Sequence, residues 1–234
     1  MAKDTELPIA PTPTPLSGVK ASTLKLLLET AISLMTERGY IPAIAEVAMR
    51  ARVSRATAYR YFASRSELIA AVVDMSLGPV RSFHSTLTDG RARVEQLFEE
   101  TFPRFKEFEP QLRAAAQLSL EHQALERAGL LEEKPYRRGY RIAILAHAIE
   151  PLSTQLTPAV HQKLHLALSV VYGIEPYIIL RDIWQATDKQ IESTALWMAQ
   201  ALLDAAIKEC QSIPSEPMPP ARAIRRSRAM SQSL

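Results

Sequence analysis

Five arginines lie close together in one acid-free stretch of the sequence. Between residues 47 and 66 the basic residues are Arg50, Arg52, Arg55, Arg60 and Arg65. Guanidinium groups bind phosphate oxygens and can make paired hydrogen bonds to guanine edges. This stretch is therefore a candidate for contact with nucleic acid, although Arg50 and Arg52 would equally suit an ordinary solvated surface.

The overall charge of +3 is not the reason for this interpretation. Residues 213–234 contain four arginines and one glutamate, so they account for the whole excess of positive charge, and residues 1–212 are neutral. A local cluster of cations with no neighbouring acid is more informative than the isoelectric point, because it creates a positive surface where it lies.

Long segments carry apolar residues three and four positions apart, and glycine is scarce, with seven in 234 residues. This pattern predicts an all-α protein. The helices it predicts cover residues 20–38, 43–50, 55–61, 65–77, 94–108, 110–130, 135–149, 158–185 and 188–209.

The arginine stretch falls on two short predicted helices with a tight connection at residues 51–53. Ser54 follows the connection and can accept a hydrogen bond from the backbone N–H near Thr57, which would cap the second helix. Ser64 and Glu67 form a capping-box pattern that opens the next helix. Two helices joined by about three residues are typical of a helix-turn-helix module.

The run ERGY, followed by IAEVAMRARVSRATAYRYFASRSEL, resembles the N-terminal DNA-binding domain of the TetR (tetracycline repressor) family of bacterial regulators, over residues 24–68. The resemblance implies a three-helix helix-turn-helix module whose third helix reads DNA, and a fourth helix leading into a ligand-binding and dimerisation domain. Three residues depart from the family pattern. Ala43 replaces a capping threonine, Ala56 replaces a common glycine, and Arg52 replaces a turn glycine, so either Arg52 takes positive φ or the turn differs slightly.

The predicted DNA-binding residues are Ser54, Arg55, Ala56, Thr57, Tyr59, Arg60, Tyr61 and Arg65. Arg55 could reach a guanine edge or a phosphate, and Arg65 lies where free backbone N–H groups of the next helix also favour a phosphate. The resemblance implies phosphate contacts for the two tyrosines. A core position is the alternative for Tyr59, and a purely structural cap is the alternative for Ser54.

The chain is predicted to divide into a flexible arm (1–17), a helix-turn-helix domain (18–65), a ligand-binding and dimerisation domain (66–212) and a disordered basic tail (213–234). The resemblance implies that the last two long helices pair across a two-fold axis. The expected partners are therefore a second copy of the chain and double-stranded DNA with a palindromic operator. The alternative is that these helices complete the core of one subunit.

A small, mainly apolar effector is a further expected partner. Its candidate binding residues are Phe102, Phe105, His147 and Tyr172, although aromatic residues at helical spacing also suit a packed core. The family default is a repressor, and an activator stays open. The functional alternative from another class is a helical ligand-binding or protein-interaction module whose DNA-binding half is degenerate.

Other functions find no support in the sequence. It contains no G-x-S-x-G, glycine-rich phosphate loop or H-E-x-x-H motif, so no enzyme, catalytic residue or cofactor is expected. The one cysteine, Cys210, and the histidine spacing do not predict a metal site. A cytoplasmic protein without membrane contact is expected, because the N-terminus lacks a signal pattern and no apolar run reaches about 18 residues.

Overall fold

The structure is a computed structural model and describes residues 18–212. The predicted arm (1–17) and basic tail (213–234) lie outside the described residues. Residues 18–212 form ten α-helices: α1 (Val19–Arg38), α2 (Ile44–Arg50), α3 (Arg55–Tyr61), α4 (Arg65–Leu77), α5 (Gly90–Glu107), α6 (Glu109–Ala128), α7 (Tyr140–Ile149), α8 (Pro158–Val171), α9 (Ile174–Trp184) and α10 (Asp188–Gln211). All regular structure in this range is helical, which confirms the all-α prediction.

The first three helices pack around the buried face of α1. Leu27, Ala31 and Leu34 recur at helical spacing along α1 and are buried, and α2 places Ile44 and Val47 against the same core. Burying each large aliphatic side chain contributes roughly 1.5 to 3 kcal/mol, so this small core suffices to orient the short helices α2 and α3.

α4 connects this three-helix unit to the rest of the chain. It packs against α1 on one side and against α5 and α6 on the other, and its buried residues include Leu68, Ile69 and Val72. One buried apolar cluster runs through the described residues from α1 to α10. A movement of α4 must therefore affect both halves of the molecule.

The segment predicted as one helix at residues 158–185 is two helices, and this prediction was wrong. Gly173 has φ 139°, which only glycine adopts readily, and a Cβ there would collide with the guanidinium group of Arg141. Arg141 also donates to the Ser169 carbonyl at 2.7 Å, and it forms an ion pair with Glu175 in the first turn of α9. Burial raises the pKa of Glu175, but Arg141 and Arg138 more than offset this and lower it below its usual value.

The helix predicted for residues 135–149 begins only at Tyr140. Residues 130–139 are instead a loop held by a buried histidine, because the Tyr136 N–H donates to Nδ1 of His122 at 3.0 Å and the Tyr136 side chain is itself buried. The loop therefore has a fixed position although it contains no helix.

None of the single helices within residues 18–212 is long and apolar enough to cross a membrane. Only α8 and α9 taken together reach that length and composition, and they are bent by 44° where they meet.

Candidate nucleic-acid interface

The turn between α2 and α3 is a helix stop of the Schellman type built without glycine. Val53 N–H donates to the Ala48 carbonyl at 2.9 Å, and Arg52 N–H donates to the Met49 carbonyl at 3.2 Å. Between them Arg52 has φ 55°, the left-handed conformation that such a stop requires. Of the two expectations for this turn, the structure has the positive φ at Arg52, and a side chain there costs about 1 kcal/mol relative to glycine.

The first turn of α3 is held by Ser54, as its spacing from Thr57 predicts. Ser54 Oγ accepts the Thr57 N–H at 3.1 Å and lies 2.8 Å from the Thr57 hydroxyl. Such a cap stabilises a helix start by roughly 1 kcal/mol. Both hydroxyl groups of this turn therefore have a partner within the turn itself.

α3 has one buried and one exposed face. Ala58 and Phe62 point into the core of the three-helix unit. The exposed residues of α3 are Arg55, Ala56, Tyr59 and Arg60. A helix held by one apolar stripe and presenting its other side to solvent is what insertion into a DNA major groove requires.

The five arginines of this stretch fall into two groups. Arg50 forms an ion pair with Glu37 at 2.9 Å. The other four are exposed, and none has an acidic partner among residues 18–212; they are Arg52, Arg55, Arg60 and Arg65. Four such cations in one small region give a positive surface that can bind phosphates.

The two tyrosines predicted to contact phosphate have different surroundings. The side chain of Tyr59 is half exposed, so it is not a core residue in this structure. The Tyr61 hydroxyl donates to the Lys20 carbonyl in the first turn of α1 at 3.2 Å. Tyr61 therefore already has a structural partner, and the bond places the exposed Lys20 beside the end of α3.

The start of α4 differs slightly from the predicted capping box. Ser64 Oγ accepts the Glu67 N–H at 3.2 Å, as predicted. Glu67 accepts the N–H of Ala63 at 2.8 Å instead of that of Ser64, so the reciprocal bond closes one residue earlier. Arg65 is the first residue of the helix and is exposed.

Residues 27–72 match the model of a family described as bacterial regulatory proteins, tetR family. These residues, about a fifth of the chain, form a TetR-type DNA-binding domain. Helices α1–α3 are thus a helix-turn-helix DNA-binding unit, which supports a role in transcription regulation.

Two solved structures of TetR-family regulators are similar to this chain. A TetR-family transcriptional regulator from Streptomyces coelicolor has 18% sequence identity and a TM-score of 0.59, over 83% of this chain and 87% of its own. A TetR transcriptional regulator from Rhodococcus sp. RHA1 has 18% identity and a TM-score of 0.48, over 80% of this chain and 97% of its own. The first likeness extends to the helical second domain and confirms the two-domain fold. No curated protein matches the chain.

Three of the four predicted effector residues lie together. Phe102, Phe105 and Tyr172 are buried, and with Phe98 they form the aromatic cluster of α5, with ring centroids 5.4 to 6.2 Å apart. The Tyr172 hydroxyl lies 2.9 Å from the Thr101 hydroxyl, and burial raises the pKa of Tyr172 above its usual value. The cluster is packed ring against ring.

His147 has other neighbours. Its ring stacks on that of His84, with centroids 4.9 Å apart, and its Nε2 accepts the Ser85 N–H at 3.0 Å. Two grooves of about 570 and 640 Å³ open on the surface, one between α1, α3 and α4 and the other between α6 and α9. Neither groove is lined by any of the four predicted effector residues, whose role in binding remains a prediction.

No pattern in the sequence predicted several contacts that join α1 and α4 to α6 and to the loop that follows it. Gln111 donates to the Ile32 carbonyl at 3.0 Å and to the Thr36 hydroxyl at 2.7 Å. Ser66 at the start of α4 donates to Glu133 at 3.1 Å. These pairs are 67 to 79 residues apart, and helical periodicity does not report which helices meet.

Proposed function

We propose that the protein is a homodimeric repressor that binds a palindromic operator and is released by a small, mainly apolar effector. The observation that carries the DNA-binding part is the exposed face of α3, where Arg55 and Arg60 stand free of acidic partners among the described residues. The alternative, a degenerate DNA-binding half, is not favoured by an α2–α3 unit whose turn, cap and buried face are all intact.

Residues 18–65 would read DNA, and residues 66–212 would bind the effector and the second subunit. A set of large apolar side chains on α8, α9 and α10 supports the dimer, because each is more than half exposed; they are Leu166, Val170, Ile179, Ile183, Trp184 and Trp197. Apolar surface of this extent on neighbouring helices marks an interaction site. A two-fold pair of subunits would present two copies of α3 to a two-fold operator.

The decisive experiment is selection of bound sequences from random double-stranded DNA with the purified protein. A single motif with two-fold symmetry is expected. The affinity for that motif should fall steeply with salt and exceed the affinity for scrambled DNA by about a thousandfold or more. Equal, weak binding to all sequences would contradict the proposal and favour the module with a degenerate DNA-binding half.

Substituting Arg55→Ala is expected to relax base preference at one position in each half-site. Arg55 is in the first turn of α3, where a guanidinium group can pair with a guanine edge, and loss of such a pair costs about 1 to 3 kcal/mol. Affinities for operators with each base at that position measure the effect. Arg50→Ala is the matched control, because Arg50 is paired with Glu37. An unchanged base preference would remove Arg55 from base reading.

Substituting Arg65→Ala is expected to weaken binding to all sequences alike. Arg65 opens α4, where its charge and the free N–H groups of the helix start favour a phosphate. Loss of one phosphate contact should lower the slope of log affinity against log salt by about 1. Titrations of operator and scrambled DNA at several salt concentrations test this, and a loss confined to the operator would argue against a phosphate contact.

A further inference from the structure

α4 is held at both ends by polar side chains from the second domain. At its end Arg104 of α5 donates to the Ser76 carbonyl at 2.7 Å and to the Met75 carbonyl at 3.1 Å. At its start the hydroxyl of Ser66, a buried residue, donates to the Glu133 carboxylate at 3.1 Å. The start of α4 is the end that faces DNA in the proposed complex, so the bond to Glu133 lies next to the expected phosphate contact of Arg65.

Glu133 is itself held by the second domain. Its other carboxylate oxygen lies 3.4 Å from Nε2 of His122, a buried residue of α6. Nδ1 of His122 accepts the Tyr136 N–H at 3.0 Å, so the proton of a neutral His122 is on Nε2, facing Glu133. The chain of bonds from Ser66 through Glu133 to His122 thus links the start of α4 to α6 and to the loop at residues 130–139.

The two ends of α4 differ in how firmly they are held. Arg104 makes two bonds to backbone carbonyls and also stacks on the Phe108 ring at 4.7 Å. The Glu133 side chain is 37% exposed and sits on a loop without helical structure. Water can therefore compete for the Glu133 carboxylate more readily than for the carbonyls at the other end.

We propose that Glu133 is the positioning residue through which the second domain sets the DNA-facing end of α4, by its bond to the Ser66 hydroxyl. Ser66 follows Arg65, the expected phosphate contact, so loss of this bond loosens the part of α4 that lies nearest to DNA in the proposed complex. This inference rests on the proposed function, because it assigns a control point to the proposed DNA-binding domain.

Hydrogen exchange of the free protein tests the bond without DNA. Glu133→Ala should raise amide exchange about tenfold in the first turns of α4. Ser66→Ala should raise the exchange of the Tyr136 amide, far away in sequence, by a similar factor, because coupling between two sites is reciprocal. Glu132→Ala is the matched control, since Glu132 is an exposed acid of the same loop. Exchange in either substituted protein that equals that of the control would overturn the proposal.

Binding to the selected operator and to scrambled DNA then tests the consequence. Glu133→Ala should weaken operator binding about tenfold and change binding to scrambled DNA less than twofold, because a loosened α4 no longer presets the two copies of α3. Glu133→Gln keeps an acceptor oxygen without charge and should recover part of the loss. Tighter binding of both variants to every sequence would mean that Glu133 merely repels phosphates, and it would overturn the positioning role.

The exchange and DNA-binding experiments together distinguish failure of the proposed function from failure of the role of Glu133. If the unsubstituted protein selects no operator, the proposed function fails, while the exchange experiment still decides whether Ser66 and Glu133 couple α4 to the loop. If an operator is found but hydrogen exchange in the substituted proteins equals that of the Glu132→Ala control, only the proposed role of Glu133 is lost.

Discussion

Replacing Trp197 with glutamate is expected to yield a monomer that binds the operator at least about a hundredfold more weakly. Linking two binding modules commonly raises the overall affinity by a factor of 10² to 10⁴, and that gain is lost when the subunits separate. Trp197 is 67% exposed and lies off the buried stripe of α10, which includes Ala195 and Ala199. The substitution therefore places a charge in the proposed interface without entering the core of the subunit.

Light scattering of the purified variant gives the mass, and helical circular dichroism with thermal unfolding shows whether each subunit stays folded. Leu130→Glu is the matched control, because Leu130 is similarly exposed, at 65%, but follows α6 and lies outside the apolar set on α8, α9 and α10. A Trp197→Glu protein that remains dimeric and keeps its operator affinity would place the subunit interface on another surface.

The parts of the DNA-binding domain that the sequence predicted are those determined within a few residues. The bond between Ser54 and the Thr57 N–H spans three residues, and the positive φ of Arg52, one of two expectations drawn from the family resemblance, lies within the three-residue connection. The capping box predicted for Ser64 and Glu67 was only partly right. Glu67 folds back to Ala63 and not to Ser64, because the backbone angles of the cap decide which N–H group is in reach.

Contacts between distant residues could not be predicted, because apolar periodicity shows which face of a helix is buried but not what covers it. The Tyr61 hydroxyl, expected at a phosphate, has a partner 41 residues away in Lys20. The break between α8 and α9 depends on Arg141 of α7, whose guanidinium group occupies the space beside Gly173. The sequence does carry Gly173 and Pro176 at that point, but the apolar spacing continues across them, so periodicity alone predicted one helix.

The second large effect is expected from Phe105→Ala, which should lower the free energy of unfolding by about 3 to 5 kcal/mol. Phe105 is buried, and its ring centroid lies 5.7 Å from that of Phe102, 6.2 Å from that of Tyr172 and 6.4 Å from that of Tyr177. Removing the ring takes one packed partner from each of three aromatic neighbours, and the surrounding helices limit collapse. Urea unfolding at an unchanged m-value measures the loss.

Phe108→Ala is the matched control on the same segment, because Phe108 is only partly buried and its ring carries Arg104 on one face. It is expected to cost clearly less than Phe105→Ala. An equal or smaller loss for Phe105→Ala would mean that the aromatic cluster collapses onto the space or is loosely packed to begin with.

The same variant tests whether the effector enters the aromatic cluster of α5. In this structure the rings of Phe102, Phe105 and Tyr172 fill the space between them, so a ligand binding there must first separate them and its observed affinity is reduced by that cost. Phe105→Ala removes much of the cost. Benzene should then raise the unfolding temperature of the variant and leave that of the unsubstituted protein nearly unchanged. If benzene stabilises neither protein, the cluster is a core that admits no small apolar ligand, and the effector site must be sought elsewhere in residues 66–212.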